Sequence, residues 1–289
     1  MSDFPDLYGL VIRLRPERGG PPVDPRGHGA QALFLDLLRQ VSPDLAAQLH
    51  AAALSKPYTV AVLPQQGIGH RGQGAGIVEL RVAFTRADLF PVVSHALLQQ
   101  LPGATLRLGH AMLTLADVLG TPGSHPWAGY GAFADLWTTA RPAASVTLEF
   151  ATATAVGQGT RADGRQRLGL LPTPETIFGS IARRWNELAP TDLRLELDAV
   201  EAAARDTLVS RYALETVQIS LGKGPQKGFV GRCSYELPAD AAQASLMSLL
   251  ADAVFYLGVG MKTARGMGLC RRTDEGRRTT DDRGNLGSS

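Results

Sequence analysis

The order of apolar patterns along the chain predicts an α+β fold made of two tandem βαββαβ units. Three observations carry this reading. The 289 residues suffice for two domains of ordinary size. Hydrophobic residues make up 44% and charged residues 19%, the balance of a globular chain and not of a disordered one. Strand-like and helix-like stretches follow one another in the same order twice, the arrangement termed ferredoxin-like.

In the first half, "LYGLVIRLRP" from Leu7 is apolar and β-branched, a strand. The Gly/Pro-rich segment 19–29 is a turn, and "AQALFLDLLRQV" has its apolar residues at helical spacing. Ser42 and Pro43 restart a helix, with Ser as N-cap and Pro at the first helical position. "YTVAVLPQ" and "GIVELRVAFT" are strands, "RADLFPVVSHALLQQL" is a helix, and "TLRLGHAMLTL" closes the unit as one strand.

The second half repeats this order. "ASVTLEFATATAV" is a strand, and "TPETIFGSIARRWNELA" is a helix with Thr173 as N-cap and Pro174 behind it. "YALETVQISL" and "KGFVGRCSYEL" are strands, the long amphipathic helix "PADAAQASLMSLLADAVFYLG" ends at Gly258, and "GMGLCRR" closes as a strand. The expected organisation is therefore a first domain over 1–116, a linker or hairpin excursion over 117–144, a second domain over 145–272, and a polar, disordered tail over 273–289.

The formal net charge of +2 is too small to announce nucleic-acid binding, so any basic patch is local. Charge is balanced through residue 160 and modestly basic from 161 to 272. Only Lys56, Lys223, Lys227 and Lys262 are lysines, and three of them sit in or near Gly-rich turns of the second half. No apolar run approaches the ~20 residues of a membrane helix, and the N-terminus has no signal-peptide pattern. Cys233 and Cys270 have no metal-ligand spacing, nor do the histidines. The expectation is a cytoplasmic protein with no membrane partner, no metal and no cofactor.

"GVGMKTARGMGL", Gly258 to Leu269, carries four glycines around Lys262 and Arg265. It fails the dinucleotide pattern G-x-G-x-x-G, because Thr263 stands at the sixth place, and it fails the Walker A spacing as well. Both nucleotide loops run from strand into helix, whereas this one runs from helix into strand, and a helix C-terminus repels phosphate. Gly258 alone fits a helix C-cap. The remaining glycines suit a backbone that approaches a ligand closely, with successive amides as an anion nest and two cations beside them.

That loop, following a long helix, resembles the C-terminal glycine-rich loop of the RAMP superfamily (repeat-associated mysterious proteins of CRISPR systems). "SPDLAAQLHAAALSKPYTV", "TPETIFGSIARRWNEL" and "KGFVGRCSYEL" narrow the resemblance to CRISPR precursor-RNA-processing endoribonucleases, over most of residues 5 to 272. The resemblance implies a metal-independent enzyme that binds one CRISPR repeat and cuts it once. The ribose 2′-OH is then the nucleophile, leaving a 2′,3′-cyclic phosphate and a 5′-OH. Such chemistry asks for a base, an acid, and positive charge on the transition state; histidine suits the first two, lysine or arginine the third.

The resemblance places a histidine and a nearby lysine at His50 and Lys56, and a second catalytic histidine at His28, whose Gly-flanked turn lets it reach a phosphate. Some members add a tyrosine on the first helix, which this chain lacks, so a second histidine or Lys56 carries more of the work. RNA binding is expected from Gly258, Gly260, Lys262, Arg265, Gly266 and Gly268, from Arg183 with Trp185 in the core, and from Lys223 and Lys227 on a turn. His70 and Arg71 sit at a hairpin tip, His95 reads as structural, His110 falls in a strand and His125 in the linker. The expected partner is CRISPR repeat RNA, with a CRISPR effector complex and a homodimer as further associations. The alternatives are a RAMP-type subunit that holds guide RNA without cutting it, and an unrelated two-domain protein that binds a small anion.

Overall fold

The computed structural model describes residues 5–21, 23, 29–51, 55–64, 76–100, 104–160, 162–164, 166–221 and 224–273. His28, His70, Arg71 and Lys223 lie outside the described residues, as does the tail beyond residue 273.

The first half folds as β1 (Leu7–Pro16), α1 (Ala30–Val41), α2 (Pro43–Ala51), β2 (Tyr58–Val62), β3 (Val78–Phe84), α3 (Leu89–Leu98), β4 (Thr105–Leu108) and β5 (Ala111–Leu119). Its strands form one antiparallel sheet in the order β2-β3-β1-β5-β4. Side chains alternate across the sheet. Leu10, Ile12 and Leu14 of β1, with Tyr58 and Val60 of β2 and Leu80 and Val82 of β3, face α1 and α3. The intervening residues, Val11, Ala61 and Arg81, are also buried, because the second half of the chain covers the other face. Burial on both faces is why these strands read as nearly continuous apolar runs.

Next come β6 (Gly129–Gly131), α4 (Phe133–Thr139), β7 (Ser145–Thr154), β8 (Val156–Thr160), β9 (Gln166–Gly169), α5 (Pro174–Leu188), α6 (Leu197–Arg205), β10 (Leu208–Ser220), β11 (Pro225–Glu236), α7 (Ala241–Leu257) and β12 (Cys270–Thr273). The second sheet has the order β10-β11-β7-β12, again antiparallel, the same relative order as β2-β3-β1-β5. Trp185 and Phe178 of α5, Met247 and Val254 of α7, and Leu148 and Phe150 of β7 are its core.

Four expectations need correction. The expected single strand "TLRLGHAMLTL" is a hairpin, β4 and β5, reversed at Gly109, whose φ of 61° suits a glycine; His110 is therefore an exposed turn residue. Segment 117–144 is no free linker. It finishes β5, adds β6 to the edge of β1, and sends α4 into the second core, where Phe133 meets Trp185 edge-to-face at 5.0 Å. Asp6 holds the start of α4 by accepting the Phe133 amide at 3.0 Å. The closing strand is shorter than expected: residues 266–269 hydrogen-bond to several separate segments, and only Cys270–Thr273 form a strand. Lys227 lies within β11, paired with Gln218, and not on a turn. The sequence reading also passed over α6 and the β8–β9 hairpin.

Candidate RNA-facing site at the domain seam

α7 ends where the two halves meet. Its last turn leaves carbonyls unpaired and concentrates partial negative charge. Two buried guanidiniums answer it. Arg81, from β3 of the first half, donates Nη2 to Phe255 O, Nη1 to Thr59 Oγ1 at 3.1 Å and Nε to Trp127 O at 3.4 Å, with its guanidinium 4.8 Å from the Phe255 ring centre. Arg184, from α5 of the second half, donates Nε to Leu257 O at 2.9 Å. Burial pushes the pKa of Arg81 down to about 9 and that of Arg184 to about 10, against ordinary values of 12.5. Their acceptors and the Phe255 face favour the charged forms in return. The repulsion that a helix C-terminus offers phosphate is thereby offset.

The glycine loop that follows is fastened to protein on both sides. Val259 N–H donates to Gly268 O, Met261 N–H to Ala155 O and Gly268 N–H to Ala153 O, at 2.9–3.0 Å. Gly260 N–H donates to Ser180 Oγ at 3.0 Å and Leu269 N–H to Thr152 Oγ1 at 3.0 Å. Gly266 N–H crosses to the first half and donates to Val60 O at 2.9 Å. These amides are spent on protein acceptors. Gly258, Gly266 and Gly268 are buried, and a Cβ on Gly268 would stand 2.0 Å from Val259 O, on Gly260 2.4 Å from Ala155 O. Glycine is required here for approach of backbone to backbone, at positive φ.

What the loop offers a ligand is charge. Lys262 has a left-handed φ of 57° and donates Nζ to Gln226 Oε1; Arg265 is exposed. Partial burial and then the Arg265 charge lower the pKa of Lys262. Between them, the short 3-10 turn Thr263–Arg265 packs on β2 and α1, with Ala264 inside the first half's core. The loop therefore touches β2, the strand that begins two residues after Lys56, a contact no local pattern announced.

Lys56 precedes β2 and donates Nζ to Leu49 O and His50 O, both at 2.8 Å, anchoring its ammonium at the C-terminus of α2. Desolvation lowers its pKa. His50 is exposed on the last turn of that helix. Although His28 is outside the described residues, the adjoining Gly29 starts α1 at φ 90°, so close to the β4–β5 turn that a Cβ would lie 2.6 Å from Gly109 N. Gln31, on the first turn of α1, donates to the Tyr58 hydroxyl at 2.9 Å; this buried tyrosine comes from β2 and not from the first helix.

On α5 the consecutive Arg183, Arg184 and Trp185 separate as helical spacing dictates: Arg183 is exposed, Arg184 turns into the seam, and Trp185 is in the core. Arg184 Nη1 reaches Ser55 Oγ across the seam at 3.3 Å, beside Lys56 in sequence. Lys227 is exposed on β11, next to the Gln226 that Lys262 engages. Arg81, Ser55 and Ser180 were missed by the sequence reading. Only Arg81 had a signal, a charge at the centre of the apolar run "VELRVAF". Among the described residues no group of three His, Cys, Asp or Glu could hold a metal, and no helix is long and apolar enough to cross a membrane.

Comparison with known proteins bears on this seam. Residues 148–270, from β7 to β12, match the model of the family "CRISPR-associated endoribonuclease Cas6". A Streptococcus thermophilus CRISPR-associated endoribonuclease Cas6 is 23% identical over 99 residues, 34% of this chain and 41% of that relative's length. A solved Cas6 product complex is 31% identical, with a TM-score of 0.80, covering 92% of this chain and all of the other. Thermus thermophilus Cas6 is 28% identical, with a TM-score of 0.72, over 94% of this chain and all of the other. A Cas6-related protein of Pyrococcus furiosus shares the fold at 11% identity, with a TM-score of 0.62 over 93% of this chain and 99% of the other.

Proposed function

The chain belongs to the Cas6 family of CRISPR-associated endoribonucleases, within the RAMP superfamily, and on that premise we propose that it binds a CRISPR repeat in a precursor transcript and cuts it without a metal. Each half is read as one ferredoxin-like unit, with RNA lying along the seam between them. The observation that carries the reading is the docking of the Thr263–Arg265 turn onto β2, which joins the Lys262–Arg265 charges to the end of the chain segment bearing His50 and Lys56.

In this reading the 2′-OH before the cut attacks the adjacent phosphorus and the 5′-oxygen leaves. One proton is removed from the 2′-OH and another is delivered to the leaving oxygen, by His50 and His28 in the two roles. The Lys56 ammonium, held on the Leu49 and His50 carbonyls, offsets the charge that builds on the phosphoryl oxygens. Lys262, Arg265, Arg183 and Lys227 are the RNA-binding cations; the loop glycines shape the loop that presents the first two.

The test is incubation of the protein with the CRISPR repeat of its own genome in EDTA. Cutting is expected, with a 2′,3′-cyclic phosphate end, and none when the nucleotide before the cut is 2′-deoxy. Dependence on added metal, or cutting of the deoxy substrate, overturns the reading. A second reading, a subunit that holds guide RNA without cutting, draws on the absence of a tyrosine from α1. It predicts salt-sensitive binding with no product, indifferent to His28→Ala and His50→Ala.

A further inference from the structure

Between Ser55 and α5 lies a cavity of about 230 Å³, lined by Ser55, Val156, Ser180, Arg184, Glu187 and Met261. Arg184 is 9% exposed, with Nε on Leu257 O and Nη1 on Ser55 Oγ, yet its Nη2 has no acceptor among the described residues. An unmatched donor on a buried charge is costly, so the site is built for an acceptor that arrives with a ligand. Two hydroxyls can add to it. Ser180 Oγ accepts the Gly260 amide and Ser55 Oγ accepts Arg184, which leaves each O–H to donate. Glu187 stands three residues beyond Arg184 on the same helix, and no hydrogen bond to its carboxylate exists among the described residues.

A bare phosphate fits this set poorly, because Glu187 would face it. The mixture of donors and a carboxylate suits a neutral group carrying an acceptor beside N–H donors. Val156 and Met261 supply apolar wall, and the volume falls below the ~300–1,000 Å³ of pockets that enclose whole drug-sized ligands, leaving room for a fragment such as one base. Of the four RNA bases, only guanine places a carbonyl oxygen next to two adjacent N–H donors on one edge. Its N1–H and N2–H match the two oxygens of Glu187, and its O6 matches the Arg184 side. Resting on the reading of this seam as an RNA site, we propose that the cavity takes one unpaired guanine of the bound RNA, splayed from its neighbours, and so sets sequence preference. Arg183, exposed on the cavity's lining, meets the phosphate of the same nucleotide.

The test uses the full chain and fluorescein-labelled 12-nucleotide oligouridylates carrying one central guanosine, adenosine, cytidine or inosine, or none, measured by anisotropy at one salt concentration. The guanosine oligomer is expected to bind at least about five-fold more tightly than the adenosine, cytidine and all-uridine ones, with inosine, which lacks the 2-amino group, in between. Glu187→Gln, at an exposed position that leaves the fold intact by its melting temperature, should bring the guanosine-to-uridine ratio close to one. Equal affinities across the bases, or a guanosine preference that survives Glu187→Gln, overturns the proposal. Cutting of the repeat in EDTA with a flat base profile removes only the guanine site. Failure to bind any RNA removes the functional reading as well.

Discussion

Lys56 donates to two carbonyls at the end of α2, and this fixes where its ammonium stands. A cation so held needs little reorganisation when charge develops on a phosphate, which is where preorganised donors gain their effect. Replacing Lys56 with Ala is therefore expected to slow single-turnover cleavage in EDTA by about 10²-fold or more. An unchanged rate would reduce Lys56 to a helix cap. Gly268 is a residue of the opposite kind, chosen for what it lacks. With φ at 67° and Val259 O only 2.0 Å from where a Cβ would be, Gly268→Ala should cost about 2 kcal/mol or more, read as a lower melting temperature. The four lysines and the glycine loop stood out in the sequence by type and spacing. The partners that define their roles, Leu49 O for Lys56 and Val259 O for Gly268, are backbone atoms that no side-chain pattern reports.

The junction of α7 with its loop shows how an element's end becomes a device for joining the two halves of the chain. Arg81 comes from a strand of the first half and Arg184 from a helix of the second, and both finish the same helix. Arg81→Leu removes three hydrogen bonds of a charged donor and leaves the Phe255 and Trp127 carbonyls buried, so it should cost about 2–4 kcal/mol in chemical denaturation. Little or no loss would mean that the seam is held by its apolar contacts alone. Long amphipathic elements such as α5 and α7 were legible because one face is apolar over several turns. The elements that escaped are short or weakly patterned. The split of β4 from β5 depends on one glycine at positive φ, α4 follows from the docking of Phe133 on Trp185, and α6 has only three buried residues. The histidine and lysine of the first half stood out in the sequence, but the docking of the glycine loop on β2, the strand that follows Lys56, arises from tertiary contacts, through Gly266 N–H and Ala264.

At the scale of the molecule, the two sheets share a buried seam that includes Val11, Ala61, Trp127 and Leu269, so the halves should unfold together in one transition. The ionisable groups that folding buries give this a pH signature. Burial raises the pKa of the Cys233 and Cys270 thiols above 9.0, and raises the Tyr58 and Tyr235 phenols above 10.0. Tyr256, at the seam and close to Gly131, is pushed up to about 12. A group whose pKa is higher in the folded state holds its proton longer there. The folded protein thus binds more protons than the unfolded chain once the unfolded pKa is passed, and stability falls as pH rises. The full contribution is present below pH 9, where unfolded thiols begin to ionise, and is lost progressively through about pH 12 as the unfolded phenols follow. Melting temperature should accordingly be level near neutrality. From about pH 9 upward the thiols and phenols lower it, against the opposing effect of Arg81 and Arg184, whose pKa values folding lowers to about 9 and about 10. The change should come in a single transition because the responsible groups lie in both halves and at their seam. Cys270→Ala should lower the melting temperature at pH 7 through lost packing, yet shrink its fall between pH 8 and pH 10. Two separate alkaline transitions, or a Cys270→Ala variant with an unaltered slope, would show that the halves melt independently or that the buried thiol does not govern the alkaline limb.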